Sequence, residues 1–203
     1  YAIHVINASA VDEFSRGLRA ASGAADVSIR GPASGLSTSI YPLVASAVAV
    51  AIPVLELSVE RDGGKEAPFT VLGIDAFRAG AIAPALVGEA AEPMDTLRDD
   101  TIFLSVPLAL RLATQPGDRL SVRAGKIVRK LRVAGFLGAQ APLGEIGVMD
   151  IAGAQWLAND ADRISRIDVR LHPDEPIELA LKRLRAMLPA PINKTKGQYA
   201  LDQ

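Results

Sequence analysis

The chain has 203 residues, of which 49% are hydrophobic but only 4% aromatic, and it carries 22 Lys and Arg against 23 Asp and Glu. This length predicts one large domain or two closely packed lobes with an aliphatic core. The balanced charge argues against a general nucleic-acid-binding protein, because such proteins need an excess of basic side chains. The absence of cysteine excludes disulfides, thiolate catalysis and cysteine-ligated metals, and it is compatible with either redox compartment.

The N-terminal segment predicts an amphipathic helix over residues 7–22. Val11, Phe14 and Leu18 recur at helical spacing, and Gly23 ends the pattern. The chain begins with Tyr1 instead of Met, and no basic segment precedes an apolar one. We therefore expect a fragment of a longer protein and not a signal peptide.

The next apolar run, residues 40–57, is almost uncharged but too interrupted to cross a membrane. A spanning helix needs about 20 apolar residues, whereas this run contains Pro42 and Pro53 and reaches Glu56. The pattern favours a buried helix over residues 40–49, followed by a strand over 54–61. A short strand over residues 26–30 comes before this helix, and a loop over 31–39 connects the two. Asp62-Gly63-Gly64-Lys65 predicts a hairpin turn into a strand over 69–74.

The middle of the chain divides into an irregular part and a regular part. Residues 76–100 are broken repeatedly by Gly and Pro and predict an irregular connection. Thr101 to Val122 predicts a strand, a short helix entered at Ser105, a Pro116-Gly117-Asp118 turn and another strand. That strand predicts a hairpin with residues 126–137.

The C-terminal third repeats the order strand, helix, strand. Residues 146–149 predict a buried strand, and Asp150 caps a helix over 151–159. A strand over 163–171 and a helix over 177–188 follow. The strand–helix–strand units near 26–60 and 146–171 predict an α+β plan with a lobe inserted between them.

The motif search finds no catalytic, cofactor or metal signature. Phosphate-binding loops and dinucleotide fingerprints are absent, and Ser34 lacks the spacing of a nucleophile elbow. Ser165, Asp168 and His172 lie close in sequence and could suggest a serine hydrolase, but the opposite strand parity of Ser165 and His172 directs them to different faces. His4 lies in the terminal apolar segment. The carboxylate pairs Asp99-Asp100 and Asp160/Asp162 lack calcium-loop spacing and favour solvated turns.

Two features are candidates for binding. The hairpin carries five basic residues without an intervening acid: Arg123, Lys126, Arg129, Lys130 and Arg132. This tentative partner-binding surface fits an acidic partner, although the pattern favours a solvated strand face. Trp156, the one tryptophan, could anchor a ligand, but its helical spacing favours a core position.

Several motifs together carry a family resemblance. In chain order they are Val71–Asp75, Leu104–Leu120 with its Pro-Gly-Asp turn, Leu131–Gly135, Val148–Ala152 followed by Gln155 and Leu157, and Arg166–Val169. This order resembles the MacB-like periplasmic core domain of bacterial ABC transporter permeases, the FtsX-like permease group. The resemblance covers residues from about 25 to 188.

The resemblance implies a two-lobed α+β periplasmic core domain. Residues 1–24 would be a membrane-proximal helix. Residues 25–75 and 145–203 would form a porter-like lobe of split β-α-β units, the latter also returning towards the membrane. Residues 76–144 would form a smaller inserted mixed α/β lobe.

The resemblance also implies a non-catalytic role in the periplasm, as part of an inner-membrane protein. The domain would relay ATP-driven motion of transmembrane helices to substrate export or to a periplasmic partner. Implied partners are a separate ATP-binding subunit, a second permease subunit as homo- or heterodimer, and a periplasmic protein or lipophilic substrate. No cofactor, metal or nucleic acid is implied. The alternatives are a free-standing periplasmic peptide- or solute-binding module and, less favoured, a small serine hydrolase.

Overall fold

The computed structural model describes residues 25–32, 34–82, 86, 88–90, 98–138, 144–188 and 200–202. The helix predicted over 7–22 lies outside these residues. The strands are β1 (Val27–Arg30), β2 (Leu36–Ser37), β3 (Val50–Arg61), β4 (Phe69–Ile74), β5 (Gly88–Ala90), β6 (Thr101–Leu104), β7 (Arg119–Ala124), β8 (Ile127–Leu137), β9 (Ile146–Asp150), β10 (Arg163–Ile164), β11 (Arg166–Arg170) and β12 (Ala200–Asp202). The helices are α1 (Ile40–Ala45), α2 (Ala76–Ile82), α3 (Val106–Arg111), α4 (Ile151–Ala158) and α5 (Ile177–Met187).

The architecture is a mixed α/β fold dominated by one ten-stranded sheet, in the order β12-β1-β11-β3-β4-β9-β6-β8-β5 with β7 bridging β3 and β8. The strand β3 is shared by three neighbours. It pairs antiparallel with β11 over Val50–Val54, with β4 over Val54–Val59, and with β7 at Glu60 and Arg61. A separate two-stranded sheet joins β2 to β10.

Six of these strands form a closed ring. The pairings run from β3 to β4, β9, β6, β8 and β7, and from β7 back to β3. Alternate side chains such as Leu55, Leu57 and Val59 point inward and are buried. The ring core also contains Leu108 and Leu112 from α3 and its end, with Ala154 and Leu157 from α4. Helices therefore complete the core that the ring encloses.

A second apolar core lies beside the ring. The inward residues of β1 and β11, such as Ile29 and Ile167, pack against α1 and α5 through Val44, Leu181 and Leu184. The helix α5 is long enough to present a full apolar stripe, because its buried residues recur at positions 180, 181 and 184.

The segment predicted as an inserted lobe shares its sheet and core with both flanking segments. In its described part, Leu104 and Leu131 belong to the same cluster as Leu55 and Leu157. The strand β6 also lies between β8 and β9. The boundaries near 75 and 145 are therefore not breaks in the sheet.

The helix predicted over 40–49 is too long. The helix α1 ends at Ala45, and β3 begins at Val50, four residues earlier than the predicted start. The reason is tertiary, since Val50 and Ala51 pair with Arg170 and Val169 of β11. Pro53 is tolerated because pairing with β4 begins only at Val54, which leaves one edge of the strand open at that residue.

The expectation of an irregular segment over 76–100 is wrong in part. The carboxylate of Asp75 accepts the backbone N–H groups of Phe77 at 3.0 Å and Arg78 at 3.3 Å, and this cap starts α2. The strand β5 pairs antiparallel with the end of β8. Within this segment the sequence also predicts a helical turn over Met94 to Arg98, and this turn lies almost entirely outside the described residues.

Two other segments differ in detail from the sequence prediction. The loop predicted over 31–39 contains β2, and the strand predicted over 163–171 is split at Ser165 into β10 and β11. The hydroxyl of Ser165 accepts the N–H of Glu56 at 2.9 Å, so this residue bonds to β3 through its side chain.

The stretch from Thr101 to Val122 is confirmed. Ser105 caps α3 by accepting the N–H of Leu108 at 3.4 Å, and Pro107 lies in its first turn. The same hydroxyl accepts the N–H of Ile146 at 3.1 Å, which ties the helix start to β9. The hairpin from β7 to β8 and the capped helix α4 are also as predicted.

Both described ends of the chain lie side by side. The strand β12 pairs antiparallel with β1, and Asp202 stands opposite Ser28. The chain therefore enters β1 and leaves β12 at the same end of the sheet.

Close packing of α4 on the sheet makes Gly73 sensitive to substitution. A Cβ atom at Gly73 would lie 2.3 Å from the Cβ of Ala154. We expect Gly73→Ala to lower the free energy of unfolding by about 1–3 kcal/mol through overpacking. Urea denaturation followed by circular dichroism measures this loss.

The matched control is Gly80→Ala on α2, where an added Cβ meets nothing within 4 Å. It should raise the free energy of unfolding by about 0.5–1 kcal/mol, because alanine favours a helix. Equal effects from the two substitutions would contradict the proposed packing.

Candidate functional site

The candidate site is the tip of the β7–β8 hairpin together with α4. Gly125 forms the turn in the left-handed region, at φ 58°. Strand alternation then separates the side chains into two faces. Leu120, Val122 and Leu131 point into the ring core, whereas Arg119 and Lys130 point to solvent.

The five predicted basic residues do not share one face. Arg129 follows the parity of the buried residues, whereas Arg123, Lys130 and Arg132 follow the solvent-facing parity. Arg123 is neutralised, since it forms ion pairs with Glu60 and Asp62. Arg132 also has an interaction partner, and its backbone N–H donates to Asp100 at 2.7 Å. Two of the five are therefore already engaged.

Arg129 and Trp156 meet at the tip. The guanidinium carbon of Arg129 lies 4.4 Å from the centre of the indole ring. Trp156 keeps 39% of its surface exposed, so the expectation of a core position is wrong. The short α4 buries the small face formed by Gly153, Ala154 and Leu157, and this face leaves no room for an indole.

The remaining cations of the hairpin are solvent-exposed. Lys126 lies in the turn, and Arg119 stands opposite Arg132 across the ribbon. Among the described residues, no carboxylate lies within ion-pair distance of Arg119, Lys126 or Lys130. Arg119 was absent from the predicted set, although its strand parity matches Lys130 and could have identified it.

The helix α4 is fixed firmly beneath this hairpin. The Asp150 carboxylate accepts the N–H of Ala152 at 2.9 Å, and Asn159 ends the helix in the left-handed conformation. A Cβ atom at Gly153 would lie 2.7 Å from the carbonyl oxygen of Asp99. The position of Trp156 is therefore set by close backbone contacts.

Electrostatics at the start of α4 are unfavourable to a charged carboxylate. Burial raises the pKa of Asp150 most, and the nearby carboxylates of Asp75 and Asp99 raise it further. The N–H of Ala152 opposes this by lowering the pKa.

The remaining sequence candidates are not brought together. Ser165 and His172 flank the two ends of β11, and the six residues between them separate them by about 20 Å. No group of three His, Asp or Glu residues with metal-site geometry occurs in the part of the chain that the structure describes. Ser34 lies exposed in a turn, and His4 lies outside the described residues.

An open pocket of about 470 Å³ lies where β11 leads into α5, and its lining includes Asp26, His172 and Glu175. Two of these groups already have structural partners. Asp26 accepts the N–H of Leu171 at 2.7 Å, and Glu175 pairs with Arg183.

No helix within the described ranges is long and apolar enough to cross a membrane.

Removal of the Arg129 side chain should change the environment of the indole. Because the guanidinium covers one face of the ring, Arg129→Ala should shift Trp156 emission to longer wavelength and increase acrylamide quenching. The lost cation–π contact should cost about 0.5–1 kcal/mol of stability. Arg119→Ala is the control and should leave the emission unchanged, and a shift with Arg119→Ala instead would refute this geometry.

The raised pKa of Asp150 predicts a pH-dependent stability. Because the folded state favours the protonated carboxyl, its stabilising contribution is present at low pH and is lost as pH rises through the folded pKa. Asp150→Asn keeps an accepting cap and removes the charge, so it should be more stable than the natural chain at neutral pH. This difference should vanish in acid.

Asp150→Ala tests the cap separately and should be about 1 kcal/mol less stable than Asp150→Asn, because both variants lack the charge and only the alanine lacks the cap. Thermal unfolding of the three proteins across the acidic range measures both effects. An Asp150→Asn protein less stable than the natural chain at neutral pH would contradict the sign of the pKa shift.

Comparison with known proteins identifies the fold. No protein-family model and no curated protein matches the sequence. The structure is similar to the periplasmic region of MacB from Actinobacillus actinomycetemcomitans, with a TM-score of 0.57, 15% identity, and coverage of 85% of this chain and 87% of that chain. It is also similar to the extracellular domain of the noncanonic ABC-type transporter YknZ from Gram-positive bacteria, with a TM-score of 0.55, 13% identity, and coverage of 78% and 93%. The resemblance is thus confirmed at the level of the fold, and the chain has the MacB-like periplasmic-domain fold.

Proposed function

We propose that this chain is a non-catalytic extracytoplasmic domain of an ABC transporter permease. The observation that carries the proposal is the similarity of its fold to the MacB and YknZ domains over most of each chain.

The pairing of β1 with β12 fits the insertion of this domain between two transmembrane helices. A domain inserted between two transmembrane helices must receive and return the chain on the same side. Here β1 begins beside the end of β12, so that Ser28 and Asp202 stand opposite each other. Motion of paired transmembrane helices would reach the sheet through these two strands, and through β11 next to them.

The proposed partners follow from the same role. An ATP-binding subunit would hydrolyse ATP in the cytoplasm, and a second permease subunit would complete a homo- or heterodimer. A periplasmic protein or a lipophilic substrate would contact the domain outside the inner membrane.

The proposed internal division remains a membrane-proximal helix over 1–24, a porter-like lobe over 25–75 and 145–203, and a smaller inserted lobe over 76–144. The core that packs α1 and α5 against β1 and β11 draws on the two porter-like segments and supports their pairing. If the inserted segment moves relative to them, the motion must bend a continuous sheet, because β6 pairs with β9.

The orientation of the domain can be tested in the full-length protein that contains this chain. Lys182 is exposed on α5, and the chain has no cysteine to interfere. Lys182→Cys should react with a membrane-impermeant maleimide when the cytoplasmic membrane is intact. The same segment without the substitution is the blank.

The transporter assignment requires a second measurement. The full-length protein, purified in mild detergent, should retain an ATP-binding subunit and show ATPase activity that depends on it. Labelling only after lysis of the cytoplasmic membrane, or purification without any ATP-binding subunit, would overturn the proposal.

A further inference from the structure

We infer that the tip of the β7–β8 hairpin and Trp156 form a docking site for an acidic, extended segment of a partner protein. The site consists of Lys126, Val128, Arg129, Lys130 and Trp156, and is called the tip site below. Its binding chemistry does not depend on the permease assignment, because it rests only on the side chains and backbone of this hairpin and α4.

The first observation is a half-buried cation that has no counterion among the described residues. Arg129 lies over Trp156, and its buried Nε has no hydrogen-bond partner within the described ranges. No carboxylate pairs with it among the described residues, in contrast to Arg123 on the same hairpin. A guanidinium held over a ring in this way can donate two hydrogen bonds to one carboxylate.

The second observation is the charge around it. Lys126 and Lys130 are exposed and lack ion pairs within the described ranges, and both lie within four residues of Arg129. The whole chain has a net charge of −1, so this local excess of positive charge is a departure from its average. Such a patch favours an acidic partner through charge complementarity.

The third observation is apolar contact surface of the right kind. Trp156 and Val128 keep 39% and 38% of their surfaces exposed. Trp and Arg are the residue types that most often dominate the binding energy of protein interfaces. One apolar side chain between acidic ones in a partner would cover Trp156, and Val128 offers apolar contact on the opposite face of the hairpin.

The fourth observation is an open strand edge. The strand β6 pairs with β8 only from Arg132 onward, so residues 127–131 have a paired neighbour on the β7 side alone in the described structure. The N–H of Arg132 faces this open edge, since it donates to Asp100. By strand alternation, the backbone groups of Val128 and Lys130 face the same edge.

These four features together favour an extended protein segment as the ligand of the tip site. A strand added at this edge would direct alternate side chains towards Arg129 and Trp156 on one face and Lys130 and Val128 on the other. Lipid headgroups would satisfy the charges but could not pair with the backbone of Val128 and Lys130. The tip site therefore favours a protein partner over a membrane surface.

The test uses the folded chain and a synthetic peptide in which glutamates flank one phenylalanine. Trp156 is the sole tryptophan, so its emission reports directly on the site. Binding should shift the emission, protect the indole from acrylamide, and weaken as salt approaches about 1 M. Hydrogen exchange at the amides of Val128 and Lys130 should slow in the complex. The same peptide with glutamines should bind at least about tenfold more weakly.

The decisive variant is Lys126→Glu/Lys130→Glu, with Lys182→Glu/Arg185→Glu on α5 as a control of identical charge change. The first should weaken peptide binding about tenfold or more, measured with a dye-labelled peptide, and the second should not. Arg129→Gln should also weaken it while leaving the fold intact by circular dichroism.

Equal effects of the two double variants would overturn the inference, because they would indicate only a long-range charge effect. Faster or unchanged exchange at Val128 and Lys130 on binding would overturn the strand-addition geometry. Saturable binding to phosphatidylglycerol vesicles without binding to the acidic peptide would assign the site to a membrane surface and overturn the inference. None of these results bears on whether an ATP-binding subunit is present, so the two proposals fail separately.

Discussion

The structure depends on one long strand, β3, whose successive segments pair with three different neighbours. The strand β3 has 12 residues, and no single neighbour covers its length. Its first residues pair with β11, its centre with β4 and its last two with β7. The pairing with β7 closes the ring of six strands, and the pairing with β11 attaches the second core. Backbone groups of a largely buried strand need hydrogen-bond partners. The ring of six strands and the second core therefore both pair with β3.

The helix α4 links this architecture to the candidate site. Its small residues lie against Gly73 and against the backbone of Asp99, where larger side chains would collide. The same close approach turns Trp156 outward to meet Arg129 from the hairpin. The close packing of α4 and the exposure of Trp156 therefore have the same cause, because a short helix with a small buried face cannot also bury an indole. The start of this helix is also partly buried. Burial and the nearby carboxylates of Asp75 and Asp99 raise the pKa of Asp150.

Local signals predicted much of the fold. The cap at Ser105, the Pro-Gly-Asp turn, the tight turn at Gly125 and the cap at Asp150 each involve residues within a few positions of one another, and each lies where the sequence indicated. The sequence also carried the signal for α2, because Asp75 is a favourable cap, but the glycines and prolines that follow concealed it. The sequence also indicated that the hairpin is basic. Strand parity places Arg129 and Lys130 on opposite faces of it.

The sequence by itself determined the apolar periodicity, the helix starts and the turns, because these depend on interactions between near neighbours. It also determined the positive charge of the hairpin and the absence of cysteine. Only the tertiary structure decided where α1 ends, which strands close the ring, and which cations of the hairpin have ion-pair partners in the described part of the chain. Those outcomes depend on residues distant in the chain: Val50 pairs with Arg170, Arg123 meets Glu60 and Asp62, and Arg129 meets Trp156. No local pattern specifies such contacts, because their energy appears only once the chain has folded.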